Sequence, residues 1–160
     1  MRKILFITIR NPYSGRYSGD VIRAKKIIEY LRKKNSVDVV ALSRKKEISY
    51  FKKNKRNIFF VAPNIIQRLF FCFLSLIKFE PLQFGIFYSN KMKKYIKKNA
   101  NNYDLLFFHQ IRSYQYMPNN FIGNTILEMG DLYSSNYFQT FKNLNFFNIF
   151  KFIYLLESWL

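Results

Sequence analysis

The first 42 residues contain the pattern that most restricts how this chain can fold: an apolar run, a loop with two glycines, an amphipathic stretch and a second apolar run. Residues 3–9 are apolar on both faces, which is typical of a central parallel strand covered by helices on each side. After the loop, four apolar residues recur at helical spacing and predict a helix with one buried face: Val21, Ala24, Ile28 and Leu31. Residues 37–42 form the next predicted strand. This order predicts a βαβ unit with parallel strands.

The alternation of strands and helices continues along the rest of the chain. Further strands are predicted at residues 57–62, 103–108 and 126–129. Helices are predicted at residues 64–79, 88–99, 132–141 and 144–160, and the basic stretch 44–56 is either a helix or a loop. The chain has no internal repeat and no low-complexity linker, so we expect residues 1–160 to form a single domain. The predicted fold is α/β, with a doubly wound, Rossmann-like, mostly parallel sheet flanked by helices.

The charge of the chain is strongly basic, with 27 lysines and arginines against 9 acidic residues and a net charge of +18. A charge of this size attracts polyanions such as anionic lipid, nucleic acid or phosphorylated substrates, although a solvated lysine surface explains it equally well. Lysines at 44–56 and 91–98, together with the apolar segment 69–77, could seat the protein on an anionic membrane surface. Nucleic acid is the less favoured partner, because no sequence motif of a known nucleic-acid-binding module accompanies the lysines.

Cysteine content and the length of the apolar runs exclude several classes of protein. A single cysteine, Cys72, rules out a disulfide within the chain, and no Cys/His pattern predicts a metal site. The longest apolar run, residues 69–77, is well short of the ~20 residues that a membrane-spanning helix needs, and no secretory signal precedes it. We therefore expect a cytoplasmic protein that holds no metal ion.

The loop between the first strand and its helix is the first candidate site. Ligands of open α/β sheets bind outside the carboxyl ends of the strands, and a helix N-terminus there suits phosphate. Gly15 and Gly19 allow close approach of a ligand to the backbone, and Arg16 adds positive charge. The spacing is neither the dinucleotide-binding fingerprint nor a P-loop, since Asp20 stands where a P-loop needs lysine. A ligand-binding loop and an ordinary flexible turn both remain open.

Two further candidates follow later strands. His109, the only histidine, ends the strand predicted at 103–108, and an imidazole there could exchange a proton with a substrate hydroxyl. Arg112 could clamp an anion or simply lie on the surface. Asp131 follows the last predicted strand and could orient or deprotonate a hydroxyl, or could cap the next helix. If the sheet is parallel, all three lie on the same edge as the glycine loop.

Short segments in a consistent order run along nearly the whole chain: residues 4–8 with Asn11 and Pro12, 18–23, 30–31, 37–40, 81–83 with Ser89 and Met92, 103–106 with His109 and Arg112, and 129–131. Together they resemble the N-terminal domain of a GT-B glycosyltransferase of the retaining family 4 (group 1) type, in particular enzymes of bacterial cell-surface polysaccharide synthesis.

The resemblance implies the acceptor-binding half of an enzyme with two facing Rossmann-like domains. It implies a nucleotide-sugar as donor substrate, a saccharide or lipid-linked acceptor, and neither a cofactor nor a metal ion. Gly15, Arg16 and Gly19 would then approach the donor phosphates, Arg112 would bind substrate, and His109 and Asp131 would be catalytic. The donor-binding domain of the family would follow this chain, so the 160 residues alone are expected to be inactive. The strongly apolar segment 144–160 agrees with a truncated chain or a missing partner, or with a helix that packs on its own domain.

Overall fold

The computed structural model describes residues 1–15, 17–43, 58–62, 64–130, 133–145, 148 and 150–159. One all-parallel sheet forms the centre of the fold. Its strands are β1 (Lys3–Thr8), β2 (Ser36–Leu42), β3 (Ile58–Val61), β4 (Leu105–His109) and β5 (Asn124–Glu128), paired in the order β3-β2-β1-β4-β5. The α/β, Rossmann-like fold predicted from the sequence is therefore confirmed, and each predicted strand lies within two residues of an observed one.

The described part of the chain contains six α-helices: α1 (Gly19–Arg32), α2 (Ile65–Ile77), α3 (Leu82–Ile86), α4 (Asn90–Asn99), α5 (Tyr133–Asn143) and α6 (Phe150–Trp159). The short helix α3 and a 3₁₀ segment at Ile111–Tyr116 were not predicted. The basic stretch 44–56, predicted as helix or loop, lies outside the described residues.

The helix predicted over residues 144–160 is too long at its start, because α6 begins only at Phe150. The backbone ahead of it turns instead: the Asn148 N–H donates to the Asn145 carbonyl, and the Lys151 N–H donates to the Asn148 carbonyl. Asparagine side chains compete with the backbone for hydrogen bonds, so an asparagine-rich stretch favours turns over the interior of a helix. The many apolar residues in this stretch made a continuous helix the favoured prediction, although the asparagines indicated a turn.

Helices cover both faces of the sheet, and the alternating side chains of β1 explain how. Phe6 packs with Ala24 and Ile28 of α1 on one face. Ile7, on the other face, packs with Met92 and Ile96 of α4. Because both faces are buried, a continuous apolar run was the correct signal for this strand.

The order of the strands places a topological switch at β1. The chain runs from β1 outward to β2 and β3, and then returns to pair β4 against the opposite side of β1. The connections that leave the carboxyl ends of β1 and β4 consequently diverge and leave a crevice between them. Ligands of open α/β sheets bind at such a crevice.

Candidate active site at the carboxyl edge of the sheet

A pocket of about 370 Å³ occupies the crevice at the carboxyl ends of β1 and β4. The lining residues come from the loop after β1, the first turns of α1 and the segment after β4: Arg10, Gly19, Asp20, Arg23, His109, Gln110 and Arg112. Of the predicted site residues, Gly19, His109 and Arg112 therefore meet here. Gly15 lies in the same loop but does not line the pocket, and Arg16 and Asp131 lie outside the described residues.

The loop after β1 is held in place by one buried asparagine. The Asn11 side chain donates from Nδ2 to Oγ of Ser43, at the end of β2, over 3.0 Å. Its Oδ1 accepts a hydrogen bond of 2.9 Å from the Tyr13 N–H. Gly15 follows with φ of +72°, in the left-handed region that glycine adopts without steric cost. These contacts direct the chain back to the N-terminus of α1, where Gly19 begins the helix.

Two arginines at the pocket are paired with carboxylates. Arg10 lies 2.9 Å from Asp20, and Arg23 lies 3.1 Å from Glu128 at the end of β5. Burial alone would raise the pKa of the Asp20 carboxyl, but a hydrogen bond with Ser18 and the charge of Arg10 outweigh it and lower the pKa below its ordinary value. Both arginine side chains remain about half exposed, so they can still reach an anion in the pocket.

Arg112 is almost fully buried, yet its guanidinium lines the pocket. Nη2 donates to the Tyr137 hydroxyl over 3.2 Å, and the guanidinium lies 5.3 Å from the centre of the Phe87 ring. These contacts hold a planar group with several donors in a fixed position. Such an arrangement favours bidentate binding of a phosphate or carboxylate.

Gln110 joins β4 to Arg112 through a strained backbone. Its φ of 72° and ψ of 148° fall near a region that residues other than glycine rarely adopt. Hydrogen bonds hold it on both sides: the N–H donates to the Glu128 carbonyl, and the carbonyl accepts from both the N–H and Oγ of Ser113. Strain of this kind costs ~1–3 kcal/mol and concentrates at functional sites. Here it turns the chain so that Arg112 and His109 line the same pocket.

His109 lines the pocket and is 2% exposed. Its Nδ1 is 3.5 Å from Oγ1 of Thr8, and its Nε2 is 3.5 Å from Oε2 of Glu128. That last distance is too long for a good hydrogen bond. Within the described residues, Nε2 and Oε2 are both buried without a hydrogen-bond partner. Buried polar groups in native proteins are nearly always satisfied, so Nε2 of His109, a residue that lines the pocket, is suited to bind a polar group of a ligand.

The charge state of His109 follows from its burial. Burial lowers the pKa of the imidazole below its usual value, and the nearby Glu128 carboxylate only partly offsets the effect. The side chain is therefore neutral near pH 7, with one ring nitrogen able to donate a hydrogen bond and the other able to accept one. A neutral imidazole beside a carboxylate can hold a hydroxyl group and accept its proton.

We expect the pH dependence of folding to report this buried histidine. The unfolded imidazole titrates near pH 6.5 and the folded one at a lower pH, so between these values the unfolded state binds more protons. Stability should thus be full above about pH 7.5 and decrease as pH falls through about 6.5. An NMR titration of this single imidazole, with urea unfolding at each pH, measures both effects. His109→Gln should remove the change in that window, and a folded midpoint above the ordinary value would contradict the argument.

Several features of the site were not singled out from the sequence. The strain at Gln110 has no sequence signal, because glutamine gives no indication of a left-handed φ. Glu128 was not singled out either, because its contact with Arg23 joins residues 105 positions apart. Among the described residues no group of three or more His, Cys, Asp or Glu side chains is arranged to hold a metal ion.

Comparison with models of known protein families gives no match to this sequence, and comparison with curated proteins gives none either.

Proposed function

We propose that this chain is the acceptor-binding domain of a two-domain retaining glycosyltransferase, which moves a sugar from a nucleotide-sugar donor to a glycolipid or polysaccharide acceptor of the cell envelope. The observation that carries the proposal is one pocket with two kinds of binding group. Arginines and the start of α1 suit phosphate, while His109, which lines the same pocket and whose Nε2 has no hydrogen-bond partner among the described residues, suits a hydroxyl.

Retaining sugar transfer needs these two capacities side by side. The leaving diphosphate gains negative charge and has to be stabilised, and the acceptor hydroxyl has to be held against the anomeric carbon. Arg112 and the N-terminus of α1 would serve the first need, with Arg10 and Arg23 contributing when the ligand draws them from their carboxylates. His109 would serve the second by orienting the hydroxyl and accepting its proton. Asp131, assigned a catalytic role from the sequence, stays a prediction.

Gly19 would allow the ligand to approach the start of α1. A Cβ built at Gly19 meets no atom within 4 Å, so a methyl group there would extend into open space instead of the protein. The protein itself does not require a glycine at this position for packing. A ligand phosphate that binds against the helix N-terminus would require it.

The proposal is tested by binding to the 160-residue chain. We expect glucose 1-phosphate to shift the NMR signals of the His109 imidazole, and glucose without phosphate to bind much more weakly. Gly19→Ala should weaken binding of glucose 1-phosphate without lowering the melting temperature, while Lys26→Ala, on the exposed side of α1, should change neither. The chain incubated with nucleotide sugars and acceptors should transfer no sugar. Absence of any imidazole shift would remove the pocket from the proposal, and transfer by the chain alone would refute the division into two domains.

A second candidate is a non-catalytic basic module that binds an anionic membrane surface. Within the described residues no helix is long and apolar enough to cross a bilayer. The membrane contact that this candidate proposes is peripheral, on the inner face of the cell membrane. A lipid-linked acceptor would need the same location. Exposed apolar side chains on α2 favour a membrane over nucleic acid as the partner. The phosphates of nucleic acid would bind the lysines, but the apolar side chains would stay exposed to water.

A further inference from the structure

Helix α2 presents its apolar side to solvent, the reverse of what an amphipathic helix in a soluble protein normally does. Seven of its side chains are between 47% and 72% exposed: Ile65, Ile66, Leu69, Phe70, Phe73, Leu76 and Ile77. At 3.6 residues per turn they cover one continuous arc of about 140°. We name this arc the α2 face. The other six residues of the helix, among them Arg68, Cys72 and Ser75, point to the protein side and are buried or partly buried.

The orientation of α2 is fixed by the helix packed behind it. Gly85 of α3 lies so close that an added Cβ would be 2.6 Å from Cα of Cys72, which means that the two helices touch backbone to backbone. Helix α3 is in turn fastened to α6, because Glu157 accepts hydrogen bonds from the Leu82 N–H at 2.6 Å and from Gln83 at 3.2 Å. Helix α2 therefore cannot roll its apolar side inward without losing these contacts.

The chain also places an aromatic side chain in solvent at the end of α2. Phe79 is 78% exposed and has φ of 54°, at a helix terminus where glycine is the usual residue. The Glu80 N–H donates to the Ser75 carbonyl over 2.9 Å and closes the helix there. Neither packing nor backbone preference explains a phenylalanine at this position. An interface that takes up aromatic rings does explain it.

The segment that contains the α2 face is strongly basic. Residues 65–99 contain seven basic residues and one acidic residue. One lysine of α4 lies near α2, since the Lys93 ammonium is 5.6 Å from the Tyr88 ring, and that ring contacts Phe71 of α2 in a tilted arrangement with 3.9 Å between centroids. An apolar strip within a basic segment matches a bilayer that has anionic head groups above an apolar interior.

We infer that the α2 face docks this protein on an anionic lipid bilayer, with the side chains of Phe70, Phe73 and Phe79 inserted at the level of the lipid head groups. The inference rests on the peripheral location proposed above and does not depend on sugar transfer. Lipid is favoured over a second copy of the chain because two copies would bring the same lysines together, and like charges repel.

The test is co-sedimentation of the purified 160-residue chain with vesicles of phosphatidylcholine, with and without phosphatidylglycerol. We expect binding to the anionic vesicles only, and weaker binding as salt is raised. The double substitution Phe70→Ser with Phe73→Ser should lower partition by about tenfold or more. The matched control is Ile122→Ser, which removes an apolar side chain that is 95% exposed elsewhere on the surface and should change nothing. Lys93→Gln should reduce binding to anionic vesicles.

Three results would overturn the inference. The first is equal binding of the wild type and the double variant, and the second is equal binding to neutral and anionic vesicles. The third is a dimer in sedimentation velocity that the double variant abolishes, with no binding to vesicles. Measuring glucose 1-phosphate binding by the double variant distinguishes a failure of membrane docking from a failure of the proposed function, because the α2 face shares no residue with the pocket. Retained binding of the sugar phosphate also shows that the variant is folded.

Discussion

Phe6→Ala is expected to lower the free energy of unfolding by about 3–5 kcal/mol, a large part of the ~5–15 kcal/mol that holds a typical domain together. Phe6 is at the centre of β1, fully buried, and its ring stacks on Phe107 of β4 with 5.0 Å between centroids. Alanine would leave a cavity between the sheet and α1 that neighbouring strands cannot close. Urea unfolding followed by circular dichroism measures the loss.

The control for this substitution is Phe59→Ala on the edge strand β3. Phe59 is 37% exposed and stacks on Tyr95 at 3.9 Å, so we expect a loss of only about 1 kcal/mol. Phe6→Leu should retain most of the stability because it fills much of the same volume. Equal losses for Phe6→Ala and Phe59→Ala would contradict a core centred on β1.

The same substitution connects the core to the pocket. The Phe6 ring lies 5.8 Å from the imidazole of His109, and it is part of the apolar surroundings that depress the pKa of that residue. A cavity next to His109 that admits water would move its pKa back toward the ordinary value. The ring of Phe6 therefore contributes both to the stability of the core and to the lowered pKa of His109.

The fold could be predicted from the sequence because its strands carry a strong local signal. The run at β1 is apolar on both faces, and the glycine loop and the helical spacing from Val21 to Leu31 follow directly after it. The two strands of a βαβ unit run in the same direction, so this segment already implied a parallel sheet. The order of the strands was not predicted. It depends on which side of β1 is taken by β4, a contact across about 100 residues that no local pattern encodes.

The candidate site was predictable in position more than in detail. His109 and Arg112 were singled out because they follow a strand, and a parallel sheet brings the ends of its strands to one edge. The ion pairs of Arg10 and Arg23 were not predicted, because they depend on side-chain geometry after folding. The α2 face shows the same limit: the sequence predicted an apolar helix at 64–79, but which side faces solvent depends on the close packing of Gly85.

The surroundings of the three pocket arginines determine which of them would contribute most to binding an anion. Arg10 and Arg23 are each paired with a carboxylate and half exposed, so an anion has to compete with that carboxylate and with water. Arg112 is instead buried and held by an aromatic ring and a phenol hydroxyl. Its guanidinium is already oriented and partly dehydrated before a ligand binds, which strengthens a charge-assisted hydrogen bond.

Arg112→Met should therefore weaken the binding of glucose 1-phosphate by about tenfold to a hundredfold, the range expected for one hydrogen bond to a charged group. Methionine keeps an apolar stem of similar length against Phe87 and removes only the charged fork. Isothermal titration calorimetry at fixed ionic strength measures the change. The affinity of Arg112→Lys for glucose 1-phosphate should lie between those of the wild type and Arg112→Met, because lysine keeps the charge but cannot bind a phosphate with two parallel donors.

The control for Arg112→Met is Arg2→Met, at the opposite, amino end of β1, where it removes the same charge from a surface far from the pocket. Because exposed charges beyond a Debye length are largely screened at physiological salt, this variant should bind glucose 1-phosphate nearly as well as the wild type. A similar loss in both variants would mean that the net charge of +18 attracts the ligand in general and that the pocket does not bind it. A loss confined to Arg112 would instead assign the phosphate to the crevice between β1 and β4, where the strained turn at Gln110 positions the guanidinium.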